Sequence, residues 1–244
     1  MKNRYISILL IVLILLGFVS CEVDNIPGPD AQLTGRIIDD LTDSLVQQDL
    51  ISGSSLDFWE AGYDPVTKIS LSCKQDGTYT NNMMFSATYL ITTPNANWYP
   101  VDSVKGFILK PGKNTYDFRV TPYIRIKNTT ITYNATTASI EARFKLEGGQ
   151  LSTTLKTLTL SVHPDPRVSV AMQLPLQSST STKPWIKTFT NTAIPLAEQV
   201  LSIKLADNTS ALKSGKVYYF RIAALTGVTG AKDNYSRAVQ IQIP

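Results

Sequence analysis

The chain has 244 residues, too many for one small sandwich and suited to two modules of roughly 100 residues each. Hydrophobic residues make up 43% and charged residues 17%, enough apolar matter for packed cores and too little charge for a disordered or nucleic-acid-binding chain. A single histidine, His163, and two cysteines exclude histidine-rich metal sites, zinc ribbons and a disulfide scaffold, and no cofactor is implied.

Lys2 and Arg4 precede a run from Ile6 to Val19 that is apolar except for Ser7 and Gly17, the pattern of a secretory signal. As a helix this run spans roughly 21 Å, short of the roughly 30 Å hydrocarbon core of a bilayer. It ends in Phe18-Val19-Ser20-Cys21, which resembles a bacterial lipobox and makes Cys21 the expected lipidated first residue of the mature protein. An ordinary signal with an incidental cysteine is the alternative. Residues 1–20 are thus read as a signal peptide and 21–30 as a lipidated tether stiffened by Pro27 and Pro29. Glu22 and Asp24 behind the cysteine resemble the surface-export signal of Bacteroidetes lipoproteins, which implies an outer-membrane anchor with the folded part facing outward; a plain solvated tether is the alternative. Loss of Lys2 and Arg4 leaves 21 basic against 19 acidic side chains, so neither a polybasic membrane patch nor a nucleic-acid partner is expected. Cys73, the remaining thiol, is expected to pack as a small apolar residue.

From Leu33 the sequence reads as strand, turn, strand at short spacing. Asp76-Gly77 lies between apolar runs and predicts a hairpin, because a primed turn needs positive φ, which glycine supplies without steric cost. Alternation predicts a strand with Phe85, Ala87, Tyr89 and Ile91 on one face, and another with Tyr116, Phe118 and Val120 on one face. Gly35-Arg36-Ile37-Ile38-Asp39, Asp76-Gly77-Thr78-Tyr79 and Ala87-Thr88-Tyr89 resemble the carboxypeptidase regulatory, or transthyretin-like, module over residues 31–121. That resemblance implies a noncatalytic sandwich.

The second module is read over residues 122–244. Ile140, Ala142, Phe144 and Leu146 alternate with Glu141, Arg143, Lys145 and Glu147, and the pattern returns at Leu158, Leu160 and Val162, at Leu201, Ile203 and Leu205, and at Val239, Ile241 and Ile243. A strand roughly every ten to fifteen residues is the spacing of a sandwich. Lys216-Val217-Tyr218-Tyr219-Phe220-Arg221-Ile222 is similar to the E to F corner of fibronectin type III domains, which makes Tyr218 the expected corner tyrosine, followed inward by Phe220, Ile222 and Ala224. No early tryptophan is present in this module, so the likeness is to fibronectin or immunoglobulin domains broadly. Helix is expected at most as short turns near Leu41 to Leu50 or Ile194 to Leu201. The fold expected is all-β, two consecutive sandwiches.

Lipobox, acidic tether and the two modules together, with Phe58-Trp59-Glu60, Tyr99-Pro100-Val101-Asp102 and Gly230-Ala231-Lys232-Asp233-Asn234-Tyr235-Ser236, resemble a Bacteroidetes lipoprotein family of unknown function associated with Sus-type glycan uptake. The resemblance implies a role in glycan capture and carries over no binding residue. No H-E-x-x-H, C-x-x-C, Walker loop or G-x-S-x-G is present, and His163 reads as a turn residue after a strand. No enzyme is expected, although carboxylate pairs for glycosidase chemistry are invisible to residue counting.

Sugar rings pack their C–H faces on aromatic rings while flanking polar groups take the hydroxyls. Trp98 and Tyr99 beside Asn95 and Asn97, and Trp185 in a polar loop, are therefore the candidate glycan-binding residues. The competing reading places Trp98 at a sandwich end or the seam between modules, and Trp185 as a core cap. Trp59 follows core-facing Phe58 and belongs on the other sheet face, covering the sheet or an interface. Two roles remain: an accessory glycan-binding lipoprotein, or an adaptor docking on an outer-membrane transporter complex. The adaptor reading expects Trp98 and Tyr99 buried in the seam or in a protein interface.

Overall fold

The computed structural model describes residues 27–244; the signal peptide, Cys21 and the first part of the tether lie outside the described residues. Two β-sandwiches follow one another, each around its own apolar core. Among the described residues the one helical element is a 3-10 turn at Ala206–Asn208, so helix is as scarce as expected, though it lies just outside the two segments named for it.

In the first sandwich one sheet holds β1 (Ala31–Asp39), antiparallel to β4 (Thr78–Met84) and parallel to β7 (Gly112–Thr115), with β8 (Phe118–Val120) continuing along β1. The other sheet runs β3 (Lys68–Ser72), β2 (Ser55–Glu60), β5 (Thr88–Thr92), β6 (Val104–Ile108). Leu33, Ile37, Leu56, Phe58, Tyr79, Tyr89 and Ile91 fill the space between the sheets. Cys73 packs among them, and burial pushes its thiol up to about 12. Gly35 lets Tyr79 cross β1: a Cβ there would meet the Tyr79 ring and the Tyr116 carbonyl that accepts the Tyr79 hydroxyl.

Two local expectations need correction. Asp76-Gly77 forms a tight turn, with Gly77 at φ +86° and the Lys74 N–H donating to the Thr78 carbonyl at 2.7 Å. Its flanking strands β3 and β4 belong to opposite sheets, however, so it is a crossover between layers and no hairpin. The turn backbone is also pinned from outside, since the Ile37 N–H donates to the Gly77 carbonyl at 2.8 Å. Phe85 lies outside the core, 39% exposed, because β5 begins only at Thr88.

The second sandwich sets a three-stranded sheet, β13 (Gln199–Lys204), β10 (Ser139–Gly148), β9 (Ile124–Asn134), against a larger one. That sheet runs β12 (Ile186–Ala193), β11 (Thr154–His163), β14 (Val217–Thr226), with β15 (Asn234–Tyr235) and β16 (Val239–Gln242) beside β14. The alternating residues fill the core: Ile140, Ala142, Phe144, Leu158, Leu160, Val162, Phe220, Ile222 and Ala224 are fully buried. Tyr218 is buried at the corner, its hydroxyl accepting the Lys213 N–H at 3.0 Å, the geometry of a corner tyrosine.

The sandwiches meet in a polar seam. Asp39 at the end of β1 accepts two hydrogen bonds from Arg125 near the start of β9, both 2.6 Å. Burial alone would raise the Asp39 carboxyl; Arg125, the Leu41 N–H and the Thr42 hydroxyl outweigh it and hold the carboxyl below its ordinary value. Asn97, fully buried, donates to the carbonyls of Gln47 at 2.9 Å and Asp233 at 3.2 Å, and its own carbonyl accepts Asn234 at 2.7 Å. Arg221 is also fully buried. It donates to Ser236 and Val168 of its own sandwich at 2.8 and 3.3 Å, and to Gln48 and Gln75 of the other at 2.8 and 3.4 Å. Its guanidinium carbon lies 4.3 Å from the Tyr235 ring centroid. Burial brings Arg221 down to about 10, so it stays charged at neutral pH.

Arg221→Ala would leave these carbonyls without donors, at a cost of about 2–4 kcal/mol. In urea the wild type is expected to unfold in one transition and the variant in two, the sandwiches having lost their coupling. An unchanged midpoint and a single transition in the variant would refute the coupling role.

Candidate functional site

The three aromatic residues expected to carry binding are not brought together. Trp98 is 1% exposed within the first core, its backbone bridged to Pro122 and its indole N–H unpaired among the described residues. Tyr99 is half-buried at the seam: its hydroxyl shares a hydrogen bond with the Thr153 hydroxyl at 2.7 Å and its ring lies 4.6 Å from that of Tyr123. Trp185 is 5% exposed within the second core, its carbonyl accepting the Leu160 N–H of β11 at 2.8 Å. Neither tryptophan presents a ring face to solvent, because each is packed into the apolar core of its sandwich. The Asn97 side chain, expected beside a sugar, is spent on the seam.

The third tryptophan lies elsewhere. On β2 the inward residues are Leu56 and Phe58, which puts Asp57 and Trp59 on the outer face of the sheet. There the half-buried Trp59 donates its indole N–H to the Thr92 hydroxyl at 3.2 Å, which fixes the ring against the sheet. Asp57 is 2% exposed because Lys68 covers it: the Lys68 ammonium reaches its carboxylate at 2.7 Å and the Ser70 hydroxyl does so at 2.6 Å. The same ammonium stands 6.0 Å from the Trp59 ring centroid. A hollow of about 450 Å³ opens here, lined by Ser55, Asp57, Trp59, Lys68, Thr92 and, from the loop after β5, Asn95. Lys232 of the second sandwich closes it, placed by its N–H donating to the Ala96 carbonyl at 3.0 Å. The loop expected to offer aromatics thus offers its amide end.

The hollow combines one immobilised indole, hydroxyls, an amide and two ammonium groups, so it offers an apolar ring face beside hydrogen-bond donors and acceptors. Asp57, its lining carboxylate, is engaged by Lys68 and Ser70, and no second carboxylate faces it across the hollow among the described residues. Sequence alternation was the signal that placed Trp59 outward; nothing in the sequence placed Lys232 beside it. A second hollow, about 490 Å³, lies along the seam, with the Asp39–Arg125 pair, Asn234 and Ser236 in its wall and no exposed aromatic ring.

The family described as "Protein of unknown function (DUF3823) N-terminal domain" matches residues 31–121. A solved structure from Bacteroides uniformis, described as a putative carbohydrate binding protein, is 37% identical, with a TM-score of 0.81 and coverage of 88% of this chain and 100% of that one. A DUF3823 family protein from Parabacteroides merdae is 20% identical with a TM-score of 0.70, again over 88% of this chain and all (100%) of that one. A DUF3823 family protein from Bacteroides ovatus is 18% identical with a TM-score of 0.68 over the same shares, 88% and 100%. The last two show the fold alone. No curated protein matches the chain.

Beside Lys232 the Asp233 carboxyl is raised to about 6, by burial first and then by Asp49, with Lys232 opposing. A carboxyl whose folded value lies above its ordinary 3.8 binds more protons in the folded than in the unfolded state between those two values. Its contribution to stability is present below about pH 4 and is lost as pH rises through about 6, amounting to about 1–3 kcal/mol. Asp233→Asn removes that loss, so its melting temperature is expected to exceed the wild type's at pH 7.5 and to match it at pH 3.5. A gain that is the same at both values would show that the carboxyl is not raised.

Proposed function

We propose, for a chain that belongs to the DUF3823 family of proteins of unknown function, noncatalytic capture of carbohydrate at the Trp59 hollow. The observation that carries this reading is the outer-face tryptophan held by Thr92 and ringed by Asn95, Lys68 and Lys232. The Bacteroides uniformis relative described as a putative carbohydrate binding protein supports it. The wider setting proposed is a lipid-anchored protein facing outward from the outer membrane, accessory to polysaccharide uptake. The signal segment, Cys21 and the acidic tether support that setting. A second reading, an adaptor docking on an outer-membrane transporter complex, is favoured by one observation: Trp98 is buried and Tyr99 half-buried beside the seam.

An affinity gel or glycan array on residues 22–244 tests capture. Trp59→Ala is expected to weaken retention about tenfold, ~1.4 kcal/mol, while Trp98→Phe, buried away from the hollow, leaves it unchanged. Absence of retention of any glycan by the folded wild type would transfer the weight to the adaptor reading. Equal retention by Trp59→Ala and wild type would move the site away from this hollow.

A further inference from the structure

β1 runs the length of the first sandwich, and its two ends differ sharply. Its last residue, Asp39, enters the seam. Its first, Ala31, lies opposite Met84 of β4 and Gly112 of β7, at the pole where β2, β4 and β6 end and β5 begins. The chain arriving from the tether is fastened at this pole. The Asp30 carboxylate accepts the Ser86 N–H and hydroxyl, both at 2.7 Å, and the Asp30 carbonyl accepts the Gly112 N–H at 2.8 Å.

Around that point the pole exposes large apolar side chains. Met83 is 73% exposed, Ile108 65% and Phe85 39%, and Tyr63 and Val66 stand out from the loop after β2 at 61% and 48%. Single exposed apolar residues are ordinary on a protein surface; five gathered around one pole are a concentration that calls for an occupant. Lys110 and Lys113 flank it, exposed, with stems able to lie along an apolar boundary and ammonium groups able to reach phosphate. The sequence from Cys21 to Asp30 reaches at most roughly 30 Å fully extended, so a lipid on Cys21 keeps the Asp30 pole within that distance of the bilayer, and of the surfaces within its reach this pole is where the tether enters the fold.

We propose that this pole is a membrane-seating surface, whose Phe85, Met83 and Ile108 enter the headgroup boundary of the bilayer in which Cys21 is anchored. The inference rests on the lipid-anchor reading given above. Seated this way, the first sandwich stands on the membrane, the Trp59 hollow opens sideways, and the seam and second sandwich project outward.

The test uses the full mature lipidated chain on vesicles of phosphatidylethanolamine and phosphatidylglycerol, with an environment-sensitive fluorophore on Ile108→Cys. Cys73 is buried and does not compete for label. Flotation with the vesicles and a blue-shifted label protected from an aqueous quencher are expected, with no change for a label on Val217→Cys in the second sandwich. Phe85→Asp with Met83→Asp is expected to return the Ile108→Cys label to its aqueous spectrum without preventing flotation. Flotation with an aqueous label at Ile108→Cys would overturn the seating surface and leave the anchor standing. Failure to float would overturn the anchor reading and the seating surface with it. A blue shift before vesicles are added would show that a second copy covers the pole instead.

Discussion

A charged guanidinium closed off from water sets the terms for this molecule. Arg221 lies on a strand position whose alternation points out of its own sandwich, yet it is fully buried because the first sandwich covers it. Its partners are neutral carbonyls on both sides of the seam, and the Tyr235 ring stacks against it. A buried charge is tolerated only when its donors are satisfied. Here satisfaction requires Gln48 and Gln75 to be present, so the second sandwich keeps Arg221 solvated by protein only while the first is docked. The same reasoning applies to Asn97 and to the Asp39–Arg125 pair, each of which loses a partner if the sandwiches part. The seam is therefore an obligatory contact, unlike the loose interfaces common between domains of one chain.

Rigidity at the seam matters because the Trp59 hollow is assembled from both sides of it. Trp59, Asp57 and Lys68 belong to one sheet of the first sandwich, while Lys232 comes from the second and is placed by a backbone hydrogen bond to Ala96. That bond lies next in sequence to Asn97, the seam's central amide, and Asp233 and Asn234 follow Lys232 into the same network. The geometry at the edge of the hollow is thus inherited from the interdomain network rather than from a flexible surface loop.

Much of the fold was legible in the sequence because period-two alternation reports a one-sided burial directly. Ile140, Ala142, Phe144 and Leu146, and Leu158, Leu160 and Val162, all went inward, and Tyr218 formed its corner. Alternation fails where an outward face is itself covered. Arg221 and Asn97 are polar side chains with no local sign of burial, and only the opposite sandwich, distant in sequence, covers them. The same blindness misled the reading of the aromatic loops. Trp98 and Trp185 lie in polar, turn-rich segments that look exposed, but an indole is large and apolar enough to be drawn from such a segment into the adjoining core. Asp76-Gly77 was recognisable as a turn from its chemistry, whereas the sheets it joins depend on strand order, which local sequence does not encode.

The hollow's own contacts bear on how it would hold a ligand. Trp59 is half-buried and its indole N–H is committed to Thr92, so it offers a fixed ring at little conformational cost but with limited area. Lys68 is tied to Asp57 and stands over the same ring, so an arriving sugar must either pack beside the ammonium or displace it from a buried carboxylate. Displacement would leave Asp57 with Ser70 alone and is the costlier course. Packing beside Lys68 leaves part of the ring covered and leads to modest affinity for each contact. A shallow site of that kind is effective when many sugar units lie along one chain and the protein is held at high local concentration, because repeated weak contacts then act as one strong attachment.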